Sequence, residues 1–311
     1  MDETPTVNAE RILVTGASGF IGGHLCRALA ARGHRVTGVS RRHPDRLPAG
    51  VVPCTVDLAD AAAVDALVAD AQPEVIFHLA GTVVGRRDRE LVRPTLYGNL
   101  VSTVHLMTAA ADSGCRRFVV TGSLEEPASV DDPPSSPYAA SKAAAAGYAR
   151  MFHALYAFPV VMARVFMVYG PDQKDVKKLV PYVIDALLRG ESPKLSSGAR
   201  RVDWIHVRDV VNGLLHLAAG GGLDGRTIDL GSGQLTTVRT VVERIAALME
   251  SPLPLQFGAE GDRPLEQVRV ADVTRSAQLT GWQPGLTLDE GLRDTIAWHR
   301  RRHAQEQAVR P

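Results

Sequence analysis

The chain has 311 residues, with 35 Lys and Arg against 34 Asp and Glu, enough length to bury a core in one large or two modest domains. So even a charge balance sets aside nucleic acid and anionic membrane as main partners, and no apolar run approaches the roughly 20 residues of a membrane span. Three cysteines without CxxC spacing (Cys26, Cys54, Cys115) and a start lacking signal-peptide character lead to an expected cytoplasmic protein with reduced thiols.

The first expected element is a buried strand over Arg11–Thr15. Gly16, Gly19 and Gly22 follow at three-residue spacing, and a helix is expected over Ile21–Arg32. Glycines permit the tight turn and let the main chain approach a phosphate, whose charge the helix-terminal amides favour. Gly16, Ser18, Gly19, Phe20, Ile21 and Gly22 thus make a candidate cradle for a dinucleotide pyrophosphate. Taken alone, the segment also reads as an ordinary glycine-rich turn.

The second strand is expected over Arg35–Ser40, followed by Arg41 and Arg42, with no carboxylate before Asp45. An acidic side chain at this place binds the ribose 2′-hydroxyl of NAD and repels a 2′-phosphate. Ser40 can donate to that phosphate and the two arginines can pair with it, so NADP(H) is expected rather than NAD. The plainer reading is two solvated arginines after a strand.

Further strands are expected over Val51–Val56, Val75–Leu79, Arg117–Gly122 and Val160–Val165, with helices over Ala61–Ala71, Leu96–Ser113 and Tyr138–Tyr156. This alternation implies an α/β, Rossmann-type doubly wound parallel sheet covered on both faces. Beyond Tyr169-Gly-Pro the rhythm loosens, and Gly and Pro punctuate shorter elements. The expected dinucleotide-binding domain comprises residues 1–170 plus 202–233, with Val202–Ala218 returning to it. Residues 171–201 and 234–311 are expected to form a smaller α/β substrate-binding lobe.

Tyr138 and Lys142 stand at i and i+4, on one helix face. A free phenol ionises too high for easy proton exchange at neutral pH, and an adjacent cation favours its phenolate. Ser123, just past the fifth strand, can hydrogen-bond the same substrate oxygen. These three are the candidate catalytic residues. An isolated Tyr-Lys pair of this spacing is commonly a surface feature, and it gains meaning beside the glycine motif.

Together these motifs resemble the extended short-chain dehydrogenase/reductase superfamily, in its nucleotide-sugar epimerase, dehydratase and reductase branch. The resemblance takes in Asp57-Leu58, Phe77-His78-Leu79-Ala80-Gly81, Asn99, Arg164 through Tyr169-Gly-Pro, Trp204 through Asp209, and Gly281-Trp282. Gly122-Ser-Leu-Glu-Glu126 and Arg263-Pro-Leu-Glu266 are similar to segments of GDP-6-deoxy-4-keto-hexose reductases. The resemblance implies cofactor contacts from Asp57, Leu58, Leu79, Ala80, Gly81, Tyr138 and Lys142, the lysine through the nicotinamide ribose. It implies catalytic or substrate roles for Asn99 and Glu125, and diphosphate binding by Arg201, or its neighbour Arg200, and Arg263. It also implies a homodimer through the helices at Leu96–Ser113 and Tyr138–Tyr156, with the Ala143–Ala146 face allowing close approach.

The 4,6-dehydratases of this branch carry an acid pair directly after the Ser/Thr position, whereas here Leu124 intervenes, which disfavours dehydration. The plain reading of Glu125 and Glu126 is solvated loop carboxylates. His78 reads as structural, and His299 and His303 as part of a solvated helix rather than a metal site. The leading expectation is an NADPH-dependent 4-ketoreductase of a nucleoside-diphosphate 4-keto-6-deoxyhexose. The alternatives are a nucleotide-sugar 4-epimerase with retained NAD(P) and a non-catalytic NADP-sensing regulator. Intact Ser123, Tyr138 and Lys142 argue against the regulator.

Overall fold

A computed structural model describes residues 9–41, 45, 47–129, 131–173, 175–262 and 268–309. Arg42 and Arg263, both expected to bind ligand, lie outside the described residues. The chain begins with β1 (Arg11–Thr15), α1 (Phe20–Ala30), β2 (Arg35–Val39), β3 (Val51–Cys54), α2 (Ala61–Ala71) and β4 (Val75–His78). It continues with α3 (Val92–Thr95), a π-helical segment Leu96–Val101, α4 (Ser102–Ala111), β5 (Arg117–Ser123), α5 (Pro137–Tyr156) and β6 (Val160–Val165). Next come β7 (Met167–Tyr169), α6 (Leu179–Leu188), β8 (Lys194–Leu195), β9 (Arg201–His206), α7 (Val207–Ala219) and β10 (Thr227–Leu230). The last elements are β11 (Leu235–Thr237), α8 (Val238–Leu248), β12 (Gln256–Phe257), α9 (Val273–Thr280) and α10 (Leu288–Val309).

Seven strands form one sheet in the order β10-β6-β5-β4-β1-β2-β3, and β1 to β6 pair in parallel. The expected doubly wound parallel sheet is therefore present. Strand order reverses between β1 and β4, so the carboxyl ends of these strands open a crevice suited to a ligand. Successive strand side chains alternate between faces. Leu13, Ile76, Phe118 and Val120 pack with Val64 and Leu67 of α2, Leu106 of α4 and Phe152 of α5. Ile12, Val75 and Phe77 lie with Leu29 of α1 and Leu215 of α7. Burial on both faces explains why these strands read as continuous apolar runs.

Contact density divides the chain into two compact units. One is Met1–Val165 with Val211–Ile228 and Leu279–Gly281; the other is Phe166–Val210 with Asp229–Gln278 and Trp282–Pro311. The second unit holds a three-stranded sheet, β11-β9-β7, and a core that includes Ile184, Trp204, Val241 and Leu292. The stretch Val202–Ala218 is split, because β9 pairs within this small sheet while α7 passes from one unit to the other.

His299 departs from the expected solvated helix. Leu292, Ile296 and His299 share one buried face of α10, and His299 Nδ1 lies 2.6 Å from Asp185 Oδ1 on α6. The arginines around it hid that apolar stripe. Among the described residues, no helix is long and apolar enough to cross a membrane, and no three or more His, Cys, Asp or Glu are grouped to hold a metal ion.

Candidate active site

The turn from β1 into α1 is closed by main-chain contacts that demand glycine. Gly16 has φ +69°, and a Cβ there would lie 2.8 Å from the Ala80 amide nitrogen. A Cβ on Gly22 would strike the Gly16 carbonyl. Gly19 occupies the N-cap of α1, where no side chain bonds the first-turn amides. Those amides suit an anion, and the absence of Cβ atoms lets it approach. Phe20 and Ile21 open α1 half-buried, and Phe20 packs edge-on against His24. Leu79 and Ala80 are bound to the end of β1, their amides donating to the Thr15 carbonyl and hydroxyl at 3.3 and 3.2 Å. This arrangement fits a dinucleotide pyrophosphate.

Ser40 directly follows β2, with its hydroxyl 2.6 Å from that of Ser18. Arg41 is exposed, its Nη1 3.9 Å from Asp57 Oδ1. Leu58 is buried and its carbonyl lies 3.2 Å from His105 Nδ1 on α4. Ser18, Ser40, Arg41 and Asp57 are thus gathered beside the glycine turn.

Ser123 ends β5 and Tyr138 begins α5, whose N-cap Ser136 accepts the Ala139 amide at 3.1 Å with Pro137 in the first turn. Serine at the cap and proline just inside are strong helix-start signals. They set the register that turns Tyr138 and Lys142 inward, so both are buried at 8% and 5% exposure. The Ser123 hydroxyl accepts the Glu125 amide at 3.1 Å and hydrogen-bonds the Tyr138 phenol. Lys142 Nζ donates to the Thr121 carbonyl at 2.8 Å.

Burial pushes the Tyr138 phenol well above its usual range, the Ser123 hydrogen bond opposes this, and the charges of Glu125 and Glu126 add to the rise. Burial lowers the Lys142 ammonium from 10.5 to about 8, while the Glu126 charge opposes the fall. The lysine is therefore held close to the pH range in which it can change charge.

A second buried network braces this site from β4. The Ala80 amide donates to the Thr15 hydroxyl, which lies 2.7 Å from His78 Nδ1; His78 Nε2 lies 2.9 Å from Thr103 Oγ1. The Thr103 hydroxyl donates to the Asn99 carbonyl at 2.5 Å. Burial, with the Lys142 charge second, drives His78 down to about 3, so it is neutral. A neutral ring taking the Thr15 proton at Nδ1 and donating from Nε2 satisfies every member of this chain.

Asn99 sits in the π-helical segment, fully buried, and its side chain is already engaged. Its Oδ1 accepts the Thr82 amide at 2.7 Å, and its Nδ2 donates to the Thr82 carbonyl and to Ser141 Oγ at 3.3 and 2.8 Å. A Cβ on Gly81 would lie 2.7 Å from Asn99 Oδ1 and 3.8 Å from Lys142 Nζ. Gly81 thus keeps the loop close to the lysine.

Glu125 is half-buried beside Ser123, and Glu126 is buried at 6% exposure rather than solvated. Its carboxylate accepts the Ser123 amide at 2.7 Å. Arg201 stands exposed at the start of β9 in the second unit, next to half-buried Arg200. The sequence reading did not anticipate Glu126, Thr15, Thr103 or Ser141. Only the loop acid carried any signal, since threonine and serine are ordinary in strands and helices.

A model of the NAD dependent epimerase/dehydratase family matches residues 12–231. UDP-glucose 4-epimerase of Mycolicibacterium smegmatis is 34% identical, over 93% of this chain and 98% of its own. MoeE5, solved in complex with UDP-glucose and NAD, is 33% identical with TM-score 0.81, over 94% of this chain and 99% of its own. The Thermotoga maritima UDP-glucose 4-epimerase structure, solved with UDP-glucose, shares the fold at TM-score 0.84 and 23% identity, over 94% and 99%. The glycine cradle and the buried Ser123, Tyr138 and Lys142 lie within the matched span, and the chain belongs to the NAD dependent epimerase/dehydratase family as an NAD(P)-dependent enzyme of the extended short-chain dehydrogenase/reductase type.

Proposed function

We propose that the protein is an NAD-dependent 4-epimerase acting on a UDP-hexose. The observation that carries this reading is a complete proton-exchange site in which buried Leu124, and not an acid, directly follows Ser123. Tyr138, Ser123 and Lys142 converge, while Leu124 is buried beside them and Glu126 is committed to the Ser123 main chain. Elimination of water needs a further acid and base acting at neighbouring carbons, and here the acids are displaced by one position, with Glu126 turned onto the Ser123 amide. The UDP-glucose 4-epimerase relative and the UDP-glucose and NAD complex of MoeE5 support the same substrate class.

Bound nicotinamide would supply the hydride exchange at the sugar carbon. Tyr138 takes the proton from the 4-hydroxyl and returns it in the reverse sense. Ser123 donates to the same oxygen and holds it in place. Lys142, one turn away, favours the phenolate while its ammonium is charged.

The expected NADP(H) preference gives way to NAD in this reading. MoeE5, 33% identical, was solved with NAD, and Arg41 makes only an exposed 3.9 Å approach to Asp57, a solvated pair that does not build a phosphate site. The second reading is the NADPH-dependent 4-ketoreductase, favoured by Ser40 and Arg41 in place of an acid at the end of β2. Arg201 remains the candidate for the substrate diphosphate under both.

Incubation with NAD and UDP-glucose, followed by NMR of the sugar, separates the two. The epimerase reading expects UDP-galactose without net cofactor consumption. Stoichiometric NADPH oxidation by a 4-keto-6-deoxy sugar nucleotide, with no epimer formed from UDP-glucose, would overturn it.

A further inference from the structure

Glu126 has no part in the proton route described above, yet its carboxylate is buried directly behind it. We propose that Glu126 is a positioning residue that clamps Ser123 through its main chain and faces Tyr138 and Lys142 with a fixed negative charge. Both backbone groups of Ser123 are bound by this one residue. The Ser123 amide donates to Glu126 Oε1 at 2.7 Å, and the Glu126 amide donates to the Ser123 carbonyl at 3.2 Å. Gly122 is required beside it, because a Cβ there would run into the same carboxylate oxygen. The turn from Gly122 to Glu126 therefore folds as one unit around the carboxylate.

A buried carboxylate is costly unless its charge is used or compensated. Its charge is felt by Tyr138 and Lys142, both on α5. His78 on β4, which is neutral, senses the same lysine, and Arg164 on β6 pairs in register with Gly122. The Glu126 charge supports the Lys142 ammonium against burial and holds the Tyr138 proton on. An exchange site that must both take and return a proton needs the second effect as well as the first.

The kinetic arm of the test rests on the 4-epimerase reading, and the spectroscopic arm does not. Glu126→Gln keeps the acceptor for the Ser123 amide and removes only the charge. Titration of Lys142 by NMR of labelled lysine is practical, since the other lysines are Lys174, Lys177, Lys178 and Lys194; Lys142→Met assigns the signal. In Glu126→Gln the Lys142 midpoint should fall by about one unit, and the alkaline limb of kcat/KM for UDP-glucose should move down with it. Glu126→Asp, which keeps the charge and shortens the clamp, should retain the wild-type midpoint while kcat falls by on the order of tenfold. An unchanged Lys142 midpoint in Glu126→Gln, or an equal downward shift in Glu126→Asp, would overturn the proposal. Failure of the wild type to epimerise UDP-glucose would count against the functional reading alone, and the lysine titration would still decide the role of Glu126.

Discussion

Lys142 shows how the site sets function against stability at the level of one side chain. Its ammonium is fully enclosed, donates to the Thr121 carbonyl and has its pKa lowered from 10.5 to about 8 by burial. Between those two pH values the unfolded chain holds this proton and the folded chain has released it. Raising the pH through that window therefore stabilises the folded wild type, and below about 8 the lysine contributes no further pH dependence. Lys142→Met removes the titration. Urea unfolding of both proteins across the window should show wild type gaining on the variant by about 2–3 kcal/mol towards the alkaline end. Parallel pH dependences would mean that the lysine is not held at a depressed pKa.

The same residue scale shows what was legible in the sequence. Tyr138, Lys142 and Ser123 were readable because helix spacing and strand-end position place them without knowledge of distant partners. Glu126 was not. Nothing in Leu-Glu-Glu-Pro distinguishes a solvated loop acid from one folded back onto the Ser123 amide, since the distinction lies in the turn around Gly122. His299 was hidden in a similar way, its burial depending on Asp185 more than a hundred residues away.

At the scale of elements, the strands and α1, α2 and α5 follow the expected positions closely, the strands as apolar runs, α1 after its glycine turn, and α2 and α5 behind the capping side chains of Asp60 and Ser136. The helix expected over Leu96–Ser113 is different: it opens as a π-helical segment, Leu96–Val101, before continuing as α4. Its composition is that of an ordinary helix, and the wider turn coincides with Asn99 reaching Thr82 and Ser141. Such bulges recur at functional sites, where they re-aim a side chain.

The helices also bear on assembly. Of the alanine face expected to meet a second copy, Ala145 and Ala146 are buried within α5's own packing, leaving Ala143 and Ala144 half-exposed. Exposed large apolar side chains on these elements include Val92, Leu96 and Tyr97 before α4, and Tyr148, Leu155 and Tyr156 along α5. Large apolar groups gathered on adjoining elements mark an association surface more often than a solvated one. A homodimer through this surface is expected, with Leu96→Asp/Leu155→Asp giving a folded monomer in sedimentation at micromolar concentration. A wild-type protein that already sediments as a monomer would contradict it.

For the whole molecule, the parallel sheet was legible because strands buried on both faces must read as apolar runs, and the motifs at their carboxyl ends mark the ligand crevice. The divided course of β9 and α7 was less so, since one unbroken stretch of chain, Val202–Ala218, serves two units. Cofactor choice lies between these cases: Arg41 was visible, but its approach to Asp57 came only with the fold.

The central claim is that Ser123, Tyr138 and Lys142 support reversible exchange at one sugar carbon with the nicotinamide retained. UDP-glucose deuterated at C4 tests it most directly, with wild type compared against Tyr138→Phe. The account expects UDP-galactose that keeps the deuterium at C4, no net change in nicotinamide absorbance, and a loss of at least about a hundredfold in rate for Tyr138→Phe. Deuterium lost from the sugar, or turnover that requires stoichiometric NADPH, would contradict it.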